Sequence, residues 1–160
     1  MIARIKLVTE LYTVSERLAL KAFGEMKPED MYVRPIDKAN SFNWVFGHIT
    51  SSRYGLAKTL GLKESVAWGK LYDMGADVYD VSAYPPIDEI HAAFLDISQK
   101  LKARFESLTE ADLEVEPPYS IPGIEKSTAG TLAFLSLHEC YHVGQLAYIL
   151  RLHGRAKLVG

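Results

Sequence analysis

The stretch from His138 to Gly154, HECYHVGQLAYILRLHG, decides how this chain is to be read. It opens with H-E-x-x-H, the pattern that in metalloproteases puts two zinc-binding histidines and a glutamate on one helix. Leu135, His138, His142, Gln145, Ile149 and Leu152 recur here at alternating steps of three and four, the period of a helical seam. Such a seam turns both imidazoles toward the interior. Side chains four apart on a helix start roughly 6 Å from each other, close enough for two nitrogens at about 2 Å to share one ion. A lone inward histidine reads first as a hydrogen-bonded core group. Two on one seam, each costing about 1–3 kcal/mol if left without a partner, ask for a shared ligand, and a metal ion supplies one.

The third ligand has to come from upstream. The extended protease pattern H-E-x-x-H-x-x-G-x-x-H would need glycine and histidine where this chain has Gln145 and Tyr148, and no Asp or Glu follows His142. His48, in FNWVFGHITSSRYGLAKTLG, lies between the directions of Trp44 and Val45 one turn earlier, at the edge of a buried stripe, and is the best third ligand. His91 falls off the Ile90, Phe94, Ile97 stripe and is expected to face solvent. His153, in the last turn before Gly154, suits a cation at a helix C-terminus.

Four segments carry helical periodicity. The first runs from Ile2 to Phe23 with Gly24 as its stop; the second follows Ser41 as N-cap and stops at Gly61. The third enters through Pro85 and Pro86, has Asp88 and Glu89 in its first turn, and buries Ile90, Phe94, Ile97, Leu101 and Leu108. The fourth runs from about Ser127 to Gly154. The connections are rich in Pro, Gly and charge and show no strand alternation. Their aromatics Trp68, Tyr72, Tyr79, Tyr84 and Tyr119 suggest packed loops capping one end. The expectation is an all-α four-helix bundle with long crossover loops, one domain over residues 1–160. Without a sheet to cradle substrate backbone, the protease reading is rejected.

Composition sets the outer limits. With 48% apolar and 24% charged residues in a chain of 160, one core can be built. A net charge of -2 and a pI near 6.2 leave no footprint for nucleic acid or anionic lipid. The N-terminus alternates charged and apolar residues, and no apolar run is long enough to span a membrane, so a cytoplasmic protein is expected. A small-molecule substrate or a protein partner fits best. The one cysteine, Cys140, cannot form an internal disulfide; it points off the seam and reads as a small buried or interface hydrophobe rather than a nucleophile.

The segments WVFGHITSSRYGLAKTLG and TAGTLAFLSLHECYHVGQLAYILRLHG resemble the two signature helices of the DinB/YfiT-like superfamily, bacterial metal-binding four-helix bundles. H-x-x-x-H-x-G-Q matches at His138, His142, Gly144 and Gln145, followed by Gly154; G-H-I matches at Gly47, His48 and Ile49. The resemblance spans nearly the whole chain. It implies a left-handed bundle in which His48, His138 and His142 hold a divalent metal with coordination positions left open, and it implies a homodimer. Some relatives act on thiol-linked substrates using low-molecular-weight bacterial thiols.

Three neutral imidazoles leave a bound ion its full double charge, which lowers the pKa of a water ligand to about 7. Nitrogen ligation suits zinc or nickel, and iron is compatible. Gln145, one turn beyond His142, can orient a ligand or close a core polar network. Glu139 projects within about 60° of His142, near enough to support the site from outside, with a solvated edge glutamate as the plainer reading. Two function classes follow: a metal-dependent enzyme, either a hydrolase or a low-molecular-weight-thiol-dependent transferase, and a non-catalytic metal-binding or stress-associated dimer. A pocket reaching the metal from solvent favours the first.

Overall fold

The computed structural model describes residues 2–37, 39–73, 75–76 and 80–159. Four long helices form the frame: α1 (Lys6–Glu25), α2 (Phe42–Thr59), α3 (Ile87–Ser107) and, after the short α4 (Glu110–Glu114), α5 (Thr128–Leu152). Their starts are set locally. The Ser41 hydroxyl accepts from the Trp44 amide and the Ser127 hydroxyl from the Gly130 amide, satisfying donors that the first turn leaves orphaned. Pro86 leads α3, with Asp88 and Glu89 against the positive end of its dipole. Thr109 and Asp112 close a reciprocal capping box that nucleates α4 inside a connection expected to be irregular.

Two boundaries of α1 differ from expectation. Ala3–Ile5 tighten into a 3-10 turn before the helix proper, and Gly24 does not end it. The break falls at Met26, whose side chain drops into the core, and at Lys27, held extended by Pro28.

The helices pack as a ring: α1 along α5, α5 along α2, α2 along α3, with a lighter α1–α3 contact closing it. Chain neighbours α1 and α2 thus lie across a diagonal, as do α3 and α5. The α1–α2 and α3–α5 connections therefore span a diagonal, whereas the longest one, residues 60–86, joins the neighbours α2 and α3. Among the described residues no strand occurs and no helix is long and apolar enough to cross a membrane.

The phase of α5 also departs from the expected seam. Its deepest stripe is Leu132, Ser136, Glu139, Val143, Leu146 and Leu150, one residue round from the predicted one, and Leu152 is 45% exposed. Packing against both α1 and α2 broadens the buried arc. The histidine stripe is therefore its flank, on the border between core and cavity.

The core is divided. One apolar cluster gathers Phe42, Phe46, Ile49, Phe94, Leu146 and Leu150; another gathers Tyr12, Leu56, Leu101, Phe105, Leu113 and Leu132. Between them lies a polar layer drawn from all four long helices. Arg53 of α2, 2% exposed, donates from Nε to Glu139 Oε2 at 2.9 Å and from Nη2 to Glu139 Oε1 at 2.6 Å. Its Nη1 donates to Ser98 Oγ of α3 at 2.5 Å, and Ser15 of α1 donates its hydroxyl to Glu139.

Removing one partner of a buried ion pair leaves the other charge uncompensated, at about 3–5 kcal/mol. For a domain of this size, at about 2–4 °C per kcal/mol, Glu139→Ala or Arg53→Ala is expected to lower Tm by roughly 6–20 °C. The double variant Arg53→Met/Glu139→Leu is expected to lose less than either single change, because no charge stays buried alone. Thermal unfolding followed by circular dichroism checks both.

Candidate metal centre

α2 and α5 bring His48, His138 and His142 to one point. Nε2 of His138 lies 3.2 Å from Nε2 of His48 and 3.1 Å from Nε2 of His142. One ligand atom from each of the three residues falls within 4.8 Å of the others. The outer nitrogens settle what those inner atoms carry. His48 Nδ1 is 2.5 Å from the main-chain carbonyl of Tyr72, which can only accept, so the proton sits on Nδ1 and the lone pair on Nε2. His142 Nδ1 likewise donates to Gln145 Oε1 at 2.8 Å. The Nε2 lone pairs of His48 and His142 therefore both face Nε2 of His138, an arrangement that a shared cation satisfies. Nitrogens about 2.0–2.1 Å from a tetrahedral ion stand roughly 3.3–3.4 Å apart. The two spacings to His138 fit after a few tenths of an ångström of relaxation.

Burial favours the neutral, metal-binding form of His138 and His142. Burial pushes the His142 pKa down to about 4, with His48 and His138 adding to the effect against the pull of Gln145. Burial, and then His48, lower His138 as well. Trp44 stacks on His48, ring centroids 4.9 Å apart and planes within 7°, so one face of that imidazole is walled off.

The remaining candidates are placed elsewhere. Glu139 is neither a solvated edge residue nor a support of the triad: it is 3% exposed and committed to Arg53 and Ser15. His91 does not face open solvent; it is half-buried and stacked on Phe23 at 4.1 Å between centroids. His153 caps α5 near Asp30, its Nδ1 3.9 Å from the carboxylate. Cys140 is exposed rather than buried. Two functional residues were not anticipated. Arg53 carried a signal, since it sits four residues after Ile49 and three before Leu56 on the buried stripe. Tyr72 acts on His48 through its backbone, and no residue type announces a carbonyl.

A cavity of about 620 Å³ opens beside the triad, with His48 and Tyr72 in its lining. Ser51, Ser52 and Thr59 line it with hydroxyls, Lys58, Asp73 and Glu116 add charge of both signs, and Val115, Ile121, Phe134 and Leu135 add apolar surface. Of the loop aromatics, Trp68 and Tyr72 are buried, Tyr84 is half-buried and stacked on Tyr72, and Tyr119 is exposed with its hydroxyl 3.0 Å from Thr59 Oγ1. Tyr79 lies outside the described residues.

The depressed histidines make the metal-free protein sensitive to acid. Their folded pKa values lie below the ordinary 6.5, so the unfolded chain binds more protons; stability is complete above about 6.5 and falls as pH drops toward about 4. Urea unfolding across that window is expected to show the slope, and His138→Gln/His142→Gln to flatten it. Protons also compete with metal for the same nitrogens, so metal is expected to dissociate over the same range.

Comparison with known proteins places this geometry. Among solved structures the fold is similar to that of YfiT from Bacillus subtilis, described as a probable metal-dependent hydrolase with an unusual four-helix bundle topology, with a TM-score of 0.62 over 98% of this chain and 92% of that one, at 13% sequence identity. No curated protein matches the sequence. The sequence profile of the DinB superfamily matches residues 11–146, which include His48, His138 and His142, and the chain belongs to that superfamily.

Proposed function

We propose that this protein is a metal-dependent hydrolase whose divalent ion is held by His48, His138 and His142. The observation that carries the reading is the convergence of three Nε2 atoms beside a cavity of about 620 Å³. A site built to store metal or only to brace the bundle has no need of such a chamber, and this favours an enzyme over a non-catalytic metal-binding dimer. A zinc-like ion bound there supplies Lewis acidity and makes a water or thiol acidic near neutral pH.

The chain's own residues do the rest. The Tyr72 carbonyl and Gln145 hold two imidazoles in the tautomer that binds, and Trp44 fixes the plane of His48. Ser51, Ser52 and Thr59 offer hydroxyls to the polar part of a small-molecule substrate, and Val115, Ile121, Phe134 and Leu135 offer apolar surface to the rest. The described likeness of fold to YfiT supports the hydrolase over a low-molecular-weight-thiol-dependent transferase. Both chemistries use the same ion, so the assay has to separate them.

Protein purified without added metal is expected to carry about one equivalent of zinc or nickel by elemental analysis. Alanine at His48, His138 or His142 is expected to abolish most of that occupancy, and His91→Ala and His153→Ala to preserve it. Hydrolysis of small ester and amide substrates is expected to stop with chelator and return with metal, independent of added thiol. Activity only in the presence of a thiol would instead identify the transferase.

The homodimer is also part of this proposal. Along α5, Leu137, Tyr141, Tyr148 and Leu152 form an exposed apolar stripe, Tyr141 at 63% and Tyr148 at 65%. Contiguous apolar surface of this kind marks an interaction face, and a second copy of the same helix is the self-complementary occupant. Light scattering is expected to give a dimer mass, and Tyr141→Glu/Tyr148→Glu a monomer that still binds metal.

A further inference from the structure

Gly47 sits inside α2, buried and directly before His48. A glycine inside a helix costs about 1 kcal/mol relative to alanine. The helical glycines Gly24, Gly55 and Gly144 have open space where a side chain would go. At Gly47 a β-carbon would lie 2.5 Å from Cζ and 2.6 Å from Cδ1 of Tyr72, inside the ring's van der Waals envelope. The ring lies flat against the helix backbone, in a notch that only glycine leaves.

That ring is held from every side. Tyr84 stacks on it at 5.3 Å, Trp68 meets it edge-on at 5.5 Å, and its hydroxyl donates to Asn43 Oδ1 at 3.0 Å. Asn43 belongs to the same helix as His48, one turn nearer its start, and is itself fully buried. Tyr72 closes the 3-10 turn Gly69–Tyr72, where the last carbonyls have no partner within the turn. Its carbonyl is the one that accepts from His48 Nδ1 at 2.5 Å. Ring and carbonyl are parts of one residue. Once the ring is seated on Gly47 and tied to Asn43, the carbonyl has little freedom, and neither has the imidazole it holds.

We propose that Tyr72 is a positioning residue of the metal centre, setting the tautomer and ring plane of His48 through its main-chain carbonyl, and that Gly47 is glycine because the Tyr72 ring must seat there. The proposal rests on the reading of the triad as a metal site, but its first consequence is visible without metal. In apo protein, long-range proton–nitrogen correlation spectra are expected to show His48 as the Nδ1–H tautomer. In Gly47→Ala the added methyl displaces the ring, and His48 is expected to become a mixture of tautomers while helix content is retained.

Loss of such an outer hydrogen bond typically weakens metal affinity roughly 10- to 100-fold, and that loss is expected for zinc measured by competition with a chromophoric chelator. Gly24→Ala, which meets nothing, is expected to keep both tautomer and affinity. Tyr72→Phe, which keeps the ring and removes only the tie to Asn43, is expected to shift both readouts the same way by less. Folded Gly47→Ala protein with wild-type zinc affinity or an intact Nδ1–H tautomer would overturn the proposal. Should Gly47→Ala fail to fold, Tyr72→Phe decides by the same two readouts. If the wild-type protein binds no zinc, nickel or iron, the metal reading falls, and the tautomer alone then judges the role of Tyr72.

Discussion

The buried ion pair between Arg53 and Glu139 constrains this bundle more than any other contact. Taking a guanidinium and a carboxylate out of water costs several kcal/mol for each ion, and the attraction offsets that only when geometry and the remaining hydrogen bonds are satisfied. Here they are: Glu139 takes two donors from Arg53 and one from Ser15, and Arg53 finds Ser98 and the Tyr12 carbonyl besides. Such a set tolerates little displacement. A slip of α5 by one residue would swing Glu139 by about 100° and leave both charges buried without partners. The pair thereby selects one register of α5 against α2, with α1 and α3 held by the same layer.

That register is also the one that makes the triad. His138 directly precedes Glu139, and His48 lies five residues before Arg53. Fixing the Arg53–Glu139 contact leaves the histidines on the adjacent flank of the same helix–helix contact. The polar layer and the histidine triad are consecutive features of one interface. The first is sealed between two apolar clusters; the second opens onto a cavity. Because α5 turns its deepest stripe toward the core and its histidine stripe toward the border, burial lowers the pKa of His138 and His142 while the triad stays beside the cavity. A more central placement would bury the site. A more peripheral one would let the rings protonate.

The chemistry then depends on outer hydrogen bonds. A carbonyl at His48 and a glutamine amide at His142 leave the two rings with their inner lone pairs exposed. Membership of the DinB superfamily and the likeness to YfiT account for the fold. A fold hosts many reactions, and it is the cavity and the triad beside it that support the proposal of a metal-dependent enzyme.

The sequence by itself determined what is local. Ser41, Pro86 and Ser127 mark helix starts because a cap acts within a few residues of itself, and the i, i+4 spacing of His138 and His142 places them together on any helix. His48 was legible as their partner from its place at the edge of its stripe. What acts between distant segments was not legible. Arg53 and Glu139 look like surface charges until the fold pairs residues that lie far apart in the chain. The seam of α5 was misphased by one residue because its apolar residues cover most of its circumference, and only packing against α1 and α2 decides which arc is deepest. His91 found Phe23 on another helix, and Gly24 gave way to the Met26–Pro28 turn. The carbonyl on His48 is backbone, identical in every residue, so only the seating of Tyr72 on Gly47 could single it out.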